Sequence, residues 1–271
     1  MRLFASGLRK LARRPATLFT FGLLGALLAL IIVAVAVTRG GPAGSEGPGG
    51  GRFDALSLVT FPAAYDFVLS FILQLGGLFG LTFGAAIAGS EWTWGTLKAV
   101  VARGESRSRY LLGLFGAVAV VTAVGLLVVF VVGVVVAALG ALIAGVPLDG
   151  ISDASAIGKL PEKFVRGLVG IVAQGALGFA IANLARSQLA GIGAGIGIYF
   201  GGTFAAIFLP DIVQYLPFRL ASTAIGGTTG FGGQTVTSAV SADLAIVLLI
   251  VWLVGSLAVA AGFAERAEIT G

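Results

Sequence analysis

Six long apolar stretches, separated by shorter polar segments, dominate the hydrophobic pattern of the chain. They cover residues 17–37, 65–88, 111–137, 165–185, 189–209 and 243–262. Each is close to the ~20 residues that an α-helix needs to cross a bilayer. The third continues to about Ala144, which suits one extended or tilted helix better than two spans joined by a turn. The pattern predicts an all-α membrane protein, with a single transmembrane domain over residues 1–271.

Composition supports this class and removes several kinds of chemistry. Hydrophobic residues make up 58% of the chain and charged residues 11%, with a mean hydropathy of +1.05. Soluble domains are nearer a quarter charged, so lipid is expected to face most of this chain. Cysteine and histidine are absent, which excludes disulfides, Cys nucleophiles, His bases and the usual zinc sites. We predict no catalytic residue and no metal site.

The distribution of Lys and Arg predicts the orientation. An even number of spans places both termini on one side, and eleven of the 17 basic residues then lie on that side. The positive-inside rule therefore predicts a multi-pass protein of the plasma membrane with both termini in the cytoplasm. The net charge of +5 fits anionic lipid better than nucleic acid, because the basic residues flank apolar spans. Abundant Gly, Ala and Val favour a bacterial source.

Residues 1–14 combine apolar positions at helical spacing with basic residues. Phe4, Leu8 and Leu11 would share one face of a helix. The basic residues lie elsewhere on the helical wheel: Arg9, Lys10, Arg13 and Arg14. Two interpretations remain open, an amphipathic helix on the inner leaflet and a charged flank that orients the first span.

Two outer segments carry turn-forming residues. Residues 39–51 are rich in Gly and Pro and are typical of a flexible loop. The segment 210–242 places Pro210 and Pro217 around the apolar residues 212–216. This pattern predicts a short interfacial or re-entrant helix before the sixth span.

The segment between the second and third spans has the most specific pattern. Glu91 follows the span directly, Trp92 and Trp94 lie at the interface, and Gly95-Thr96 opens a short segment. A passive connector needs none of these features, so we expect a structured cytoplasmic loop. The alternative is that the tryptophans are interfacial anchors and the charges only set topology.

This segment resembles the permease subunits of ABC-2-type ABC transporters. Their loop after the second helix reads Glu, three residues, Gly-Thr-Leu, then a basic, Ser-rich turn. Glu91 and residues 95–97 fit this register, and Arg103, Ser106 and Arg107 follow. The resemblance implies a coupling helix that docks on a separate ATPase. The residues so implied are Glu91, Trp92, Trp94, Gly95, Thr96, Leu97, Lys98, Arg103, Glu105 and Arg107.

The same resemblance implies the partners of the chain. An ABC-2 permease pairs with itself or with a sister permease and works with two ATPase copies, which bind ATP and Mg. No cofactor is expected in this chain, since Gly158-Lys159 lacks the other residues of a P-loop. The tail at 263–268 keeps only the outline of the family pattern, which leaves its role open.

Few polar residues lie within the spans. They are Gln74, Thr82, Gln174, Asn183 and Tyr199. Each either lines a translocation path or makes a hydrogen bond between helices. The scarcity of charge favours an amphipathic, lipid-like or drug-like cargo over an ion. Glycines recur every four residues at 76, 80 and 84 and at 193, 197 and 201. They either pack helices within the subunit, which we favour, or form the contact between two permease subunits.

Two other functions remain as alternatives to an exporter. A secondary carrier driven without ATP would usually have an inverted repeat or buried charges, and neither is visible. An intramembrane aspartyl protease is prompted by Asp66 and Asp243, but Asp243 lacks the Gly-x-Gly-Asp context of those enzymes.

Overall fold

The computed structural model describes residues 2–12, 14–38, 55–226 and 239–267, and that part of the chain is helical without strands. Its α-helices are α1 Arg2–Ala12, α2 Pro15–Thr38, α3 Ala63–Thr93, α4 Thr96–Ala102, α5 Arg107–Ala144, α6 Ala154–Ala185, α7 Gln188–Phe208, α8 Pro210–Val213, α9 Pro217–Ala224 and α10 Ala242–Arg266. Short 3-10 turns occupy Ala55–Leu58 and Asp149–Ser152. The predicted loop at 39–51 lies outside the described residues.

Six of the described helices are long and apolar enough to cross a membrane, which confirms the predicted spans. They are α2, α3, α5, α6, α7 and α10. The 38 residues of α5 form one helix that ends at Gly145, where φ is 76°.

The start of α6 precedes the predicted span, because the Asp153 carboxylate accepts hydrogen bonds from the backbone N–H groups of Ser155 and Ala156.

The pair α3 and α6 forms the centre of the bundle, because glycines allow their backbones to touch. A Cβ on Gly84 would lie 2.2 Å from the Gly175 carbonyl oxygen, and one on Gly178 would lie 2.0 Å from that of Leu81. The glycine row of α3 therefore packs within the subunit, as expected. On α7 the expectation is wrong for this fold, since a Cβ at 193, 197 or 201 would meet no described atom within 4 Å.

The predicted short helix before the last span is a pair of helices, α8 and α9, each of which begins with proline. The Trp252 indole N–H donates to the Tyr215 carbonyl at 2.9 Å, and Trp252 lies ten residues into α10. A Cβ on Gly170, near the middle of α6, would lie 2.6 Å from that of Ala221 in α9. The segment thus folds back against α6 and α10, and residues 227–238 that follow it are outside the described set.

The N-terminal residues form a helix, α1, with the amphipathic pattern that one of the two interpretations predicted. Its position on the inner leaflet stays a prediction. Its apolar side packs on protein. Leu11 is fully buried, and a Cβ on Gly7 would contact the Cβ of Ala117 in α5 at 3.2 Å. Arg9 is exposed, whereas Arg13 lies outside the described residues. Because α2 follows at once, α1 is held against the base of the bundle.

Candidate functional site

Five chain segments meet at the end of the bundle that carries both described chain ends, which we call the terminal end. The segments are α1, the end of α3 with α4, the start of α5, the end of α6 and the end of α10. Leu11, Leu97, Leu111 and Ala264 belong to one buried apolar cluster there. The loop between the second and third spans is therefore a packed element of the fold.

Glu91 is the centre of a polar network inside this cluster. Its side chain is 0% exposed, and its Oε1 accepts a hydrogen bond from Lys10 Nζ at 2.6 Å. Its Oε2 accepts from the Tyr110 hydroxyl at 2.6 Å. The Arg14 guanidinium lies 3.5 Å from Oε1 and donates to Ser90 Oγ at 2.9 Å. The carboxylate thus joins α3 to α1, to the start of α2 and to α5.

Burial decides what Glu91 can do. A buried carboxylate is stable only when charges and hydrogen bonds compensate for its lost hydration, and these neighbours supply both. It has no free surface for direct contact with a partner protein. The sequence suggested Glu91 as a coupling residue. In the structure its carboxylate links neighbouring helices within the subunit.

A hydrogen bond between Trp92 and Asn183 links α3 to α6. The Trp92 indole N–H donates to Asn183 Oδ1 at 2.9 Å, and Asn183 Nδ2 donates to the Phe179 carbonyl. The Arg186 guanidinium lies 5.4 Å from the Trp92 ring and 5.3 Å from that of Phe263. Asn183, a candidate for the translocation path, is instead fully buried in an interhelical hydrogen bond.

Two glycines with left-handed backbone conformations bracket α4. Gly95 has φ 64° and Gly104 has φ 76°, which other residues rarely adopt. Between them Leu97 and Val100 are buried at 2% and 8% exposure.

The residues on either side of α4 are exposed. Trp94 is 67% exposed, and residues 102–106 are exposed, including Arg103 and Glu105. Thr96 is half-buried, and the Lys98 side chain is outside the described set.

The end of α10 is bound to the start of α5, which gives the tail a structural role that the family pattern left open. Arg107 donates to the carbonyl oxygens of Ala264, at 3.0 Å, and Ala267. Glu265 accepts hydrogen bonds from the backbone N–H and the hydroxyl of Ser108 at 3.1 and 2.6 Å. Sequence reasoning missed Glu265, because nothing near it in the chain indicates its partner.

The remaining path candidates differ in what they contact. The Tyr199 hydroxyl donates to the Gln74 carbonyl at 3.0 Å, and Thr82 donates to carbonyls of its own helix. Gln174 is 2% exposed, and its carboxamide lies against Gly77, where an added Cβ would meet it within 3 Å. Its Oε1 has no hydrogen-bond partner among the described residues. Tyr199 therefore bonds to a neighbouring helix, whereas Thr82 bonds within its own helix and Gln174 packs against α3. That any of them lines a translocation path stays a prediction.

One charge that the sequence placed in an outer loop lies within the bundle. Arg219 belongs to α9, beside the fully buried Leu220. It is half-buried and makes no ion pair with another described residue. The inference that few charges lie among the packed helices must therefore be amended to include Arg219.

The two aspartates that prompted the protease alternative lie at the other end of the bundle. Asp66 pairs with Lys163 at 2.6 Å, and Asp243 pairs with Arg166 at 3.0 Å. Their side chains are 63% and 88% exposed. An aspartyl protease needs two carboxylates that share a proton. Two separately paired, exposed carboxylates do not make such a site.

Comparison with known proteins gives one assignment. Residues 53–261 match the family model DUF2705, described as a protein of unknown function. The chain belongs to this family. The DUF2705 match contains four of the six long helices, most of α10 and the whole segment from Glu91 to Arg107, and it begins after α2. No curated protein matches the chain.

Proposed function

We propose that this DUF2705 chain is the permease subunit of an ABC-2-type exporter, in which α4 is the coupling helix. The observation that supports this best is the terminal end itself. There a short helix is fixed between two left-handed glycines, with its buried side packed on the bundle and its exposed end free to meet a partner. A passive loop has no need of such fixed geometry.

The contacts around α4 give a route for the coupling. A partner that binds the exposed residues 102–106 would displace α4 and, with it, the adjoining end of α3. Glu91 on α3 would pass this movement to α2 through its contacts with Lys10 and Arg14. The same element reaches α6 through Trp92 with Asn183. It reaches α10 through Arg107. One docking surface is thus connected to four of the spans.

The proposal includes the partners that the family resemblance implies. Two copies of an ATPase bind ATP and Mg at the cytoplasmic face, and a second permease, identical or related, completes the transporter. This chain carries the translocation path in the plasma membrane, with both termini in the cytoplasm, and performs no catalysis. Away from the terminal end, the described helices are largely apolar on their buried sides and include the half-buried Arg219, which suits an amphipathic, lipid-like or drug-like cargo.

The test uses the tagged full-length chain, purified in detergent from its source cells. We expect a P-loop ATPase to copurify in stoichiometric amount, with a rate of ATP hydrolysis that depends on the permease. Arg103→Glu should release the ATPase, because it reverses an exposed charge directly after α4. Lys159→Glu is the matched control, since it makes the same change at an exposed site in α6 at the other end.

The outcomes separate the proposal from its rival. Loss of the complex in the Arg103 variant alone supports α4 as the docking surface. Equal loss in both variants would contradict that assignment. A permease that purifies without any ATPase, and that moves cargo on an ion gradient in vesicles lacking ATP, would replace the exporter with a secondary carrier.

A further inference from the structure

A lateral groove between α2 and α5 is not used by the function proposed above. Its volume is about 750 Å³, within the ~300–1,000 Å³ of typical small-molecule sites. Gly22, Gly25 and Ala26 form its α2 side, and valines of α5 between Val120 and Val132 form the other. Leu8 of α1 and Thr17 line its terminal end.

The groove has the length of one bilayer leaflet. Its lining runs from Thr17 to Ala29 on α2 and from Val120 to Val132 on α5. Twelve residues of helix rise about 18 Å, against about 15 Å for half of the hydrocarbon core. The lining is apolar except for Thr17, whose hydroxyl donates to the Leu11 carbonyl at 2.7 Å. An extended acyl chain from a single leaflet matches this shape and this chemistry.

The charge at the terminal end of the groove selects the headgroup. Leu8 lines the groove, and the next residue, Arg9, is exposed without an ion pair to any described residue. Lys10 and Arg14 share the single carboxylate of Glu91. Three described cations and one anion leave a net charge of +2 at this end of the groove. A negatively charged headgroup is complementary to it.

We propose that the groove between α2 and α5 binds one acyl chain of an anionic phospholipid, whose headgroup lies beside Arg9 on α1. The lipid comes from the leaflet at the terminal end of the bundle. It fills the space that Gly22 leaves, since a Cβ there would meet no atom within 4 Å. This site does not depend on transport, on ATP or on a partner protein.

The experiment measures lipid binding by the delipidated full-length protein in detergent, by native mass spectrometry. Dioleoyl phosphatidylglycerol is the probe, and dioleoyl phosphatidylcholine is the neutral comparison. Gly22→Leu should weaken phosphatidylglycerol binding by roughly tenfold, because the new side chain occupies the groove. Gly255→Leu is the matched control, since Gly255 on α10 is equally open but lies outside the groove.

A second variant tests the headgroup without changing the groove. Arg9→Gln should weaken phosphatidylglycerol binding about fivefold, the equivalent of the ~1 kcal/mol that one basic residue contributes near an anionic surface. Phosphatidylcholine binding should be unchanged. Equal affinities of the wild type for both lipids would overturn the proposal. So would a Gly22→Leu protein, monodisperse on size exclusion, that binds phosphatidylglycerol as tightly as the Gly255→Leu control.

Discussion

At the scale of single residues, the fold depends on a carboxylate that water does not reach. Glu91 is fully buried and compensated by Lys10, Arg14 and Tyr110, and Arg14 is itself only 15% exposed. Such a group contributes little net stability while its partners are present. Removal of its charge is costly, because a buried cation then lacks its counterion.

We therefore predict that Glu91→Gln destabilises the protein by about 2–4 kcal/mol, since Arg14 stays mostly buried. The readout is the apparent Tm of the purified protein in detergent, followed by tryptophan fluorescence. Asp66→Asn is the matched control, because it neutralises the exposed carboxylate of an ion pair, which is expected to contribute about 0–1 kcal/mol. Similar changes in Tm for both variants would contradict the account of the network.

At the scale of helices, the contact between α3 and α6 sets the spacing of the bundle. Here backbone faces backbone, and there is no room for a side chain at Gly84 or Gly178. Small residues have this effect in membranes because lipid tails are as apolar as leucine, so close packing must supply the attraction between helices.

Gly84→Ala should lower stability by about 1–3 kcal/mol, because the new methyl group would overlap the Gly175 carbonyl and neither backbone can move freely. Gly255→Ala on α10 should leave stability unchanged or raise it by up to ~1 kcal/mol, since that site is open and alanine favours helix. Denaturation in detergent of increasing SDS content would measure both. A harmless Gly84→Ala would show that α3 and α6 are not in close contact.

At the scale of the whole molecule, the helix bundle has two opposite ends, which we expect to lie on opposite sides of the membrane. One holds α1, α4 and the end of α10, and the other holds Asp149–Ser152 and the start of α6. The absence of cysteine makes this arrangement open to direct labelling, because any introduced thiol is unique.

We predict that Ser106→Cys is protected from a membrane-impermeant maleimide in intact cells, whereas Ser152→Cys is labelled. Both serines are exposed in the structure, so burial within the protein does not account for a difference. Lysed cells should label both positions, which controls for reactivity. The reverse pattern would place the termini outside and would remove the docking surface from the reach of a cytoplasmic ATPase.

Hydropathy and turn chemistry were enough to predict the architecture. The six spans and the unbroken third helix follow from local pattern. The pattern left the amphipathic N-terminus as one of two interpretations, and it predicted one short helix where the structure has two. These properties can be predicted from the sequence because each spanning segment must be apolar enough to lie in lipid by itself. Each helix also satisfies its own backbone hydrogen bonds, so its existence does not depend on its neighbours.

The tertiary structure alone decided which residues meet. Glu91 and Lys10 are 81 positions apart, and Arg107 lies 160 positions from Ala267. The sequence singled out Glu91 and Arg107 but gave no partner for either, and it contained no sign of the groove between α2 and α5. A partner's identity depends on how helices pack side by side. Glycines at 84 and 178 permit that packing, but only the folded chain places them against a particular neighbour.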